Sequence, residues 1–416
     1  VGGRDPTNGD RRLNDIAPGR WRVLALLALA EVLGMSLWFS ASAVSGQYRA
    51  LWGLSTAEAG WLTTMVQLGF VAGTATAAVL NLADVIPSRW YFAGSALLGA
   101  LANLGLADAS SYQAALGYRF LTGFCLAGVY PPAMKMAASW FRTDRGLAIG
   151  TIVAALTVGK ALPYLARSAD VNAIRPVVLL ASAAAASAAL LIAAGYHDGP
   201  HQFPRRPFSW RLVATVARHR ETRLATLGYL GHMWELYAMW TWVPAFLAAS
   251  AATRAANGHP VRVELVYLAA FGAIAVGGPG ALWGGWAARR IGYPAVTIQA
   301  MVVSGLCCLA AGLFFGADLY LLAPFVLLWG FFVVADSAQF SAMVSEAAPP
   351  HAVGTALTLQ TSLGFLLTMA TIQLVPVLAD TLGWRLAFAV LALGPAAGIA
   401  AIRRLPVPGR QLRQDG

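Results

Sequence analysis

The chain has 416 residues, 58% of them hydrophobic and only 11% charged, with 29 Lys and Arg against 18 Asp and Glu for a net charge of +11. Soluble domains carry about 25% charged residues, so this composition excludes the several charge-surfaced soluble domains that the length would otherwise imply. It points to an all-α polytopic membrane protein, in which the basic excess reflects topology and not a nucleic-acid footprint.

Residues 1–20 form a polar N-terminal tail, expected in the cytoplasm. Apolar blocks long enough to cross a hydrocarbon core, which takes about 20 residues per helix, then predict twelve transmembrane helices in two six-helix bundles. The N-terminal bundle, 21–196, holds spans 1 to 6 at 21–44, 57–82, 90–108, 112–140, 146–168 and 176–195. A polar stretch over 197–221 reads as a cytoplasmic linker with a short surface helix at SWRLVATVARHR. The C-terminal bundle, 222–403, holds spans 7 to 12 at 222–248, 263–287, 294–316, 319–345, 352–379 and 384–402, and 404–416 form a cytoplasmic tail. The first apolar block is too long for the core of a signal peptide, so span 1 is expected to be its own targeting signal.

With both termini in the cytoplasm, twenty arginines fall on that side and six on the other. This bias sets the expected orientation in a bacterial-type inner membrane, with the basic faces touching anionic lipid. Cys125, Cys307 and Cys308 all lie in spans, a pattern that supports neither a disulfide framework nor a cysteine metal site.

The halves resemble one another. Span 1 overlays span 7, placing Arg22 on Arg223 and Glu31 on His232. Span 4 overlays span 10 (Gly123 on Gly330, Met136 on Met343), and span 5 overlays span 11 (Gly146 on Gly354). The offsets of 201, 207 and 208 run in the same order, as a duplicated unit with a midplane site between its copies would give. The loop after span 2, LNLADVIPSR, keeps Asp84 and Arg89 of a Gly-x-x-x-Asp-Arg-x-Gly-Arg-Arg pattern; its second-half copy, GGWAARRIGY, keeps Gly284, Arg289 and Arg290, with Ala288 for the aspartate. Arg119 and Gly123 match an Arg-x-x-x-Gly pattern in span 4. On these residues the chain resembles the major facilitator superfamily, and GVYPPAMKMAASWFRTDRGLAIG is similar to the span 4–5 region of its anion:cation symporter and nitrate-porter branches. The resemblance implies that spans 1, 4, 7 and 10 line a central cavity with 2, 5, 8 and 11 beside them. It also implies that Asp84, Arg89, Arg289 and Arg290 act at a gate.

Seven ionisable residues lie inside spans: Glu31, Arg119, Lys135, Lys160, His232, Glu235 and Asp336. Such residues are costly in a bilayer and face the bundle interior or a water-filled cavity. Lys135 and Lys160 are the only lysines in the chain. Lys160 is too deep to reach an interface, and is read as a substrate contact or as an ion-pair partner of Glu31. Arg119 is a second substrate contact or a stabiliser of the N-terminal half. Lys135 faces the cavity or extends its stem to the cytoplasmic interface. Glu31, Asp336, Glu235 and His232 are the candidate proton-coupling groups, since burial and a nearby cation pull a proton's affinity in opposite directions. Trp38, Tyr130, Trp234, Tyr237, Gln67 and Gln360 complete the expected pocket, with Trp240 and Trp242 either part of its aromatic lining or an interfacial belt.

The cations concentrate in the first half and the acids in the second. A secondary transporter of a small organic anion, proton-coupled and working by alternating access, is therefore expected. Proton-driven efflux of an amphipathic or cationic compound is the alternative, and copper uptake through His232 and nearby methionines ranks below it. Spans 2 and 8 contain no arginine, which argues against nitrate as cargo. No catalytic or nucleotide-binding motif is present, so neither an enzyme, a cofactor nor a bound metal is expected. The expected partners are an anionic small molecule, protons and membrane lipids, with no nucleic acid, around a monomer.

Overall fold

The computed structural model describes residues 17–142, 144–169, 174–201, 209–349 and 351–406. Most of both expected tails, and 202–208 of the expected linker, lie outside the described residues. Among those described, all regular structure is helical. Nine helices there are long and apolar enough to cross a membrane: Thr56–Val79, Ser88–Asp108, Arg145–Ala169, Ile174–Gly195, Val263–Ile291, Tyr293–Phe314, Leu319–Ala347, Val353–Leu382 and Trp384–Ile402. They match spans 2, 3, 5, 6 and 8 to 12. Spans 1, 4 and 7 are Arg20–Met35 continued by Ser40–Ala43, Tyr112–Leu126 continued by Tyr130–Trp140, and the 37-residue Arg220–Ala256. These three spans carry Glu31, Arg119, Lys135, His232 and Glu235, while Lys160 lies on span 5 and Asp336 at the interruption of span 10.

Local chemistry starts and stops the helices. Gly53, in the left-handed region at φ 64°, ends the short helix before span 2. Two residues later the Ser55 hydroxyl accepts from the Glu58 amide while the Glu58 carboxylate accepts from the Ser55 amide at 2.8 Å, a reciprocal cap for span 2. Span 4 restarts on Pro131 and Pro132, whose missing amide hydrogens cost nothing in a first turn.

The duplication is visible in close helix contacts. A Cβ on Gly123 of span 4 would overlap the Val66 carbonyl of span 2, and a Cβ on Gly330 of span 10 would overlap the Ala273 carbonyl of span 8. In reverse, Gly73 of span 2 meets the Phe124 carbonyl and Gly280 of span 8 meets that of Phe331. Each contact in the first half maps onto its counterpart in the second by the same displacement of 207 residues. Small residues let backbones approach where lipid supplies no hydrophobic drive between helices, and both halves use the same ones. The chain thus folds as two pseudo-symmetric helical bundles.

Span 5 packs on span 8, and span 2 on span 11. Among the described residues, the side-chain hydrogen bonds between halves are Thr56 to Asp380 (3.3 Å), Thr64 with Gln373 (2.8 Å) and Lys160 to Tyr237. Arg167 lies over the Tyr267 ring at 5.0 Å. All of these sit at the middle layer or on the side away from the chain ends, so the halves are clasped on that distal side.

Candidate functional site

Span 1 leaves the helical path at residues 36–39, which frees backbone carbonyls inside the protein. Buried carbonyls need donors, and Arg119 supplies them: its guanidinium donates to the carbonyls of Leu37 (2.9 Å), Trp38 and Leu62 (3.2 Å), to Ser40 Oγ (3.0 Å) and to Asn103 Oδ1 (3.2 Å). Every nitrogen of the group is engaged. Arg119 therefore holds the break in span 1, and the contacts it makes are those of a stabiliser of the N-terminal half, the other of its two expected roles.

That break presents Trp38. Across from it, a Cβ on Gly159 would overlap the Val32 carbonyl, so span 5 lies directly on span 1 and brings Lys160 into the same layer. The Lys160 ammonium is fully buried. It sits 3.9 Å from the Trp38 ring centroid, 4.4 Å from that of Tyr237 and 5.2 Å from that of Trp240, and donates to the Tyr237 hydroxyl. Phe365 packs on Trp38 and Tyr237 with centroids 5.8 and 5.2 Å away, and Phe70 lies 4.6 Å from Phe365. Rings from spans 1, 2, 7 and 11 thus form one cluster around the ammonium. A desolvated cation–π contact is worth about 2 kcal/mol or more, against about 2.5–3.5 kcal/mol to insert a lysine at mid-membrane. The cage can hold Lys160 without a counter-ion.

Among the described residues no ion pair joins Lys160 to Glu31. Glu31 is fully buried, and neither carboxylate oxygen has a hydrogen-bond partner. Both amide atoms of buried Gln67, Oε1 of Gln360, and the indole nitrogens of Trp38 and Trp240 are likewise without partners. Buried polar atoms of this kind are rare in folded proteins, because each forfeits its hydrogen bond to water. Trp38 and Trp240 belong to the cage, and Gln67 and Gln360 lie on spans 2 and 11, which carry Phe70 and Phe365.

The remaining expected residues divide. His232 Nδ1 lies 2.9 Å from Asp336 Oδ1, and Nε2 lies 3.1 Å from Ser337 Oγ, all deep in the second half where span 10 breaks. Both ring nitrogens of His232 thus face protein groups, which argues against the copper site weighed from sequence. Glu235 faces spans 9 and 10, accepting from Ser304 (2.9 Å), Cys308 (3.2 Å) and Trp329 Nε1 (2.6 Å). Its lining is internal to the second bundle. Trp234 donates to the Val390 carbonyl at 3.1 Å and so turns to span 12, not to the cage. Tyr130, half-buried, starts the second segment of span 4.

Lys135 lies outside the cage. Its ammonium donates to Asp84 Oδ1 at 2.5 Å and to the Ala83 carbonyl at 2.7 Å, joining span 4 to the loop after span 2. The acid of the loop pattern is thereby neutralised by a lysine of its own half. Arg89 caps the Ala193 carbonyl of span 6, Arg290 lies over Trp286 at 3.9 Å, and Arg289 is exposed. Of the residues around the cage, the sequence reading omits Phe70 and Phe365 and leaves Trp240 open between the cavity and an interfacial belt. The available signal was the spacing Tyr237–Trp240, one helical turn, which puts both rings on one face.

The model of the Major Facilitator Superfamily matches residues 24–370. The chain is 24% identical over 306 residues to the niacin transporter NiaP of Acinetobacter baylyi, covering 64% of this chain and 66% of that protein, so it spans just under two thirds of that relative's length. Among solved structures it resembles the nucleoside transporter NupG (14% identity, TM-score 0.70, 92% of this chain and 98% of that one). It also resembles a bacterial homolog of the human lysosomal transporter Spinster in an inward-facing, unoccupied conformation (15% identity, TM-score 0.69, 93% and 95%).

Proposed function

As a member of the Major Facilitator Superfamily, this chain is an integral membrane transporter and not an enzyme, and we propose that its cargo is a small organic carboxylate with a planar ring. The observation that carries the proposal is Lys160: a buried ammonium held by aromatic rings and a phenol, with no carboxylate of the described residues paired to it. A substrate carboxylate would take the place of the Tyr237 hydroxyl as the partner of Lys160, gaining a charge-assisted hydrogen bond in a water-poor site. Trp38, Tyr237 and Phe365 would flank the ring. A relative is named a niacin transporter, and niacin joins a flat pyridine ring to a carboxylate, the two features this cage would read.

Glu31 is the proposed proton carrier. It is a lone carboxyl in the Lys160 layer, so a negative substrate and a proton can arrive and leave together as the layer opens to each side. The clasp on the distal side describes one end of that cycle. The arginine bias supports a cytoplasmic position for both termini, and a clasp on the distal side would then belong to the inward-facing end of the cycle.

Efflux of an amphipathic cation is the second reading, favoured by the same unpaired Glu31 among aromatic walls. A thermal-shift panel on the purified protein separates the two. Nicotinate should stabilise the protein, while nicotinamide and tetraphenylphosphonium should not. Stabilisation by tetraphenylphosphonium, lost in Glu31→Gln, would support efflux instead.

A further inference from the structure

We propose that the cleft between the start of span 7 and the end of span 12 binds the headgroup of an anionic phospholipid. The cleft has a volume of about 270 Å³ and is lined by Arg220, Arg223, Leu224, Leu227 and Arg404. Four of these residues recur at i, i+3, i+4 and i+7 of one helix, so they share a single face. Along that face the two arginines come first and the two leucines follow deeper in the membrane, and the wall of the cleft itself is apolar, made by the leucines and the aliphatic stems of the arginines. Arg404 adds a third guanidinium from the end of span 12, which is held against span 7 by the contact of Gly228 with Ile402.

All three arginines are exposed, and none has an ion-pair partner among the described residues. Leu227 is 51% exposed. The order of the groups identifies the ligand. A guanidinium fork matches the geometry of a phosphodiester, and leucines directly beneath it match an acyl chain running into the hydrocarbon. Free phosphate would use the arginines and leave the leucines idle. The cleft lies at the end of the bundle that carries the chain termini and most of the arginines, where anionic headgroups concentrate if that end is cytoplasmic.

The test is native mass spectrometry of the detergent-solubilised full-length protein with phosphatidylglycerol or phosphatidylcholine added. Wild type should retain phosphatidylglycerol in preference to phosphatidylcholine. Arg404→Gln should weaken retention about fivefold, and the triple change of Arg220, Arg223 and Arg404 to Gln should weaken it by about a hundredfold. Arg289→Gln with Arg290→Gln, equally exposed at the same end of the bundle, should leave it unchanged. Arg404→Gln leaves both arginines of span 7 in place and keeps the test informative if the triple variant fails to fold. The proposal is overturned by equal retention of the two lipids in wild type, by undiminished retention in Arg404→Gln, or by displacement of the lipid with millimolar glycerol phosphate.

Discussion

A charged side chain in a bilayer is conspicuous in sequence, but the direction it points is not. Arg119, Lys135 and Lys160 stand out alike as costly cations, and the structure gives each a different occupation. Arg119 satisfies carbonyls released by a break in span 1. Lys135 neutralises Asp84, 51 residues earlier. Lys160 alone sits among aromatic rings. These outcomes depend on helix rotation and on a break that no proline marks, neither of which a hydropathy pattern carries. For Arg119 the consequence is structural: Arg119→Met removes five hydrogen bonds and strands buried carbonyls, each costing about 1–3 kcal/mol. Its melting temperature and folded yield should fall sharply, and Arg119→Lys should recover only part of the loss because an ammonium cannot reproduce the fork. A variant that melts like wild type would remove this role.

Among the helices, most were legible in the sequence, because an uninterrupted apolar block of about twenty residues matches the thickness of a bilayer and little else. The interruptions were less so. Pro131 and Pro132 mark the restart of span 4 in the sequence, whereas the turn at 36–39 leaves no local signature and is set by the donors around it. The repeat offset of 207 proved physical, since the same carbonyls meet the same glycines in both halves. Gly123→Ala and Gly330→Ala should accordingly cost similar stability, about 1–3 kcal/mol each from forced separation of packed helices. Gly146→Ala and Gly354→Ala, with no atom within 4 Å of the added carbon, should be neutral or slightly stabilising. Thermal denaturation in detergent checks this, and unequal effects at the first two positions would argue that the halves do not pack equivalently.

Across the whole molecule, the family and the paired bundles put a central layer between halves that are clasped on one side. Which side faces the cytoplasm rests on arginine counts. In intact cells an impermeant thiol reagent should label Arg262→Cys and spare Arg218→Cys; the reverse pattern would invert the orientation. The proposed transport chemistry turns on Lys160 being kept for the substrate's negative group. The decisive experiment is equilibrium binding of nicotinate to Lys160→Ala, read beside its melting temperature and that of Lys160→Ala combined with Glu31→Ala. Loss of a hydrogen bond to a charged group should weaken binding about tenfold or more, with melting close to wild type in both variants. Unchanged affinity, or a loss of stability in Lys160→Ala that Glu31→Ala restores, would rule out the substrate role and make Lys160 half of a structural ion pair.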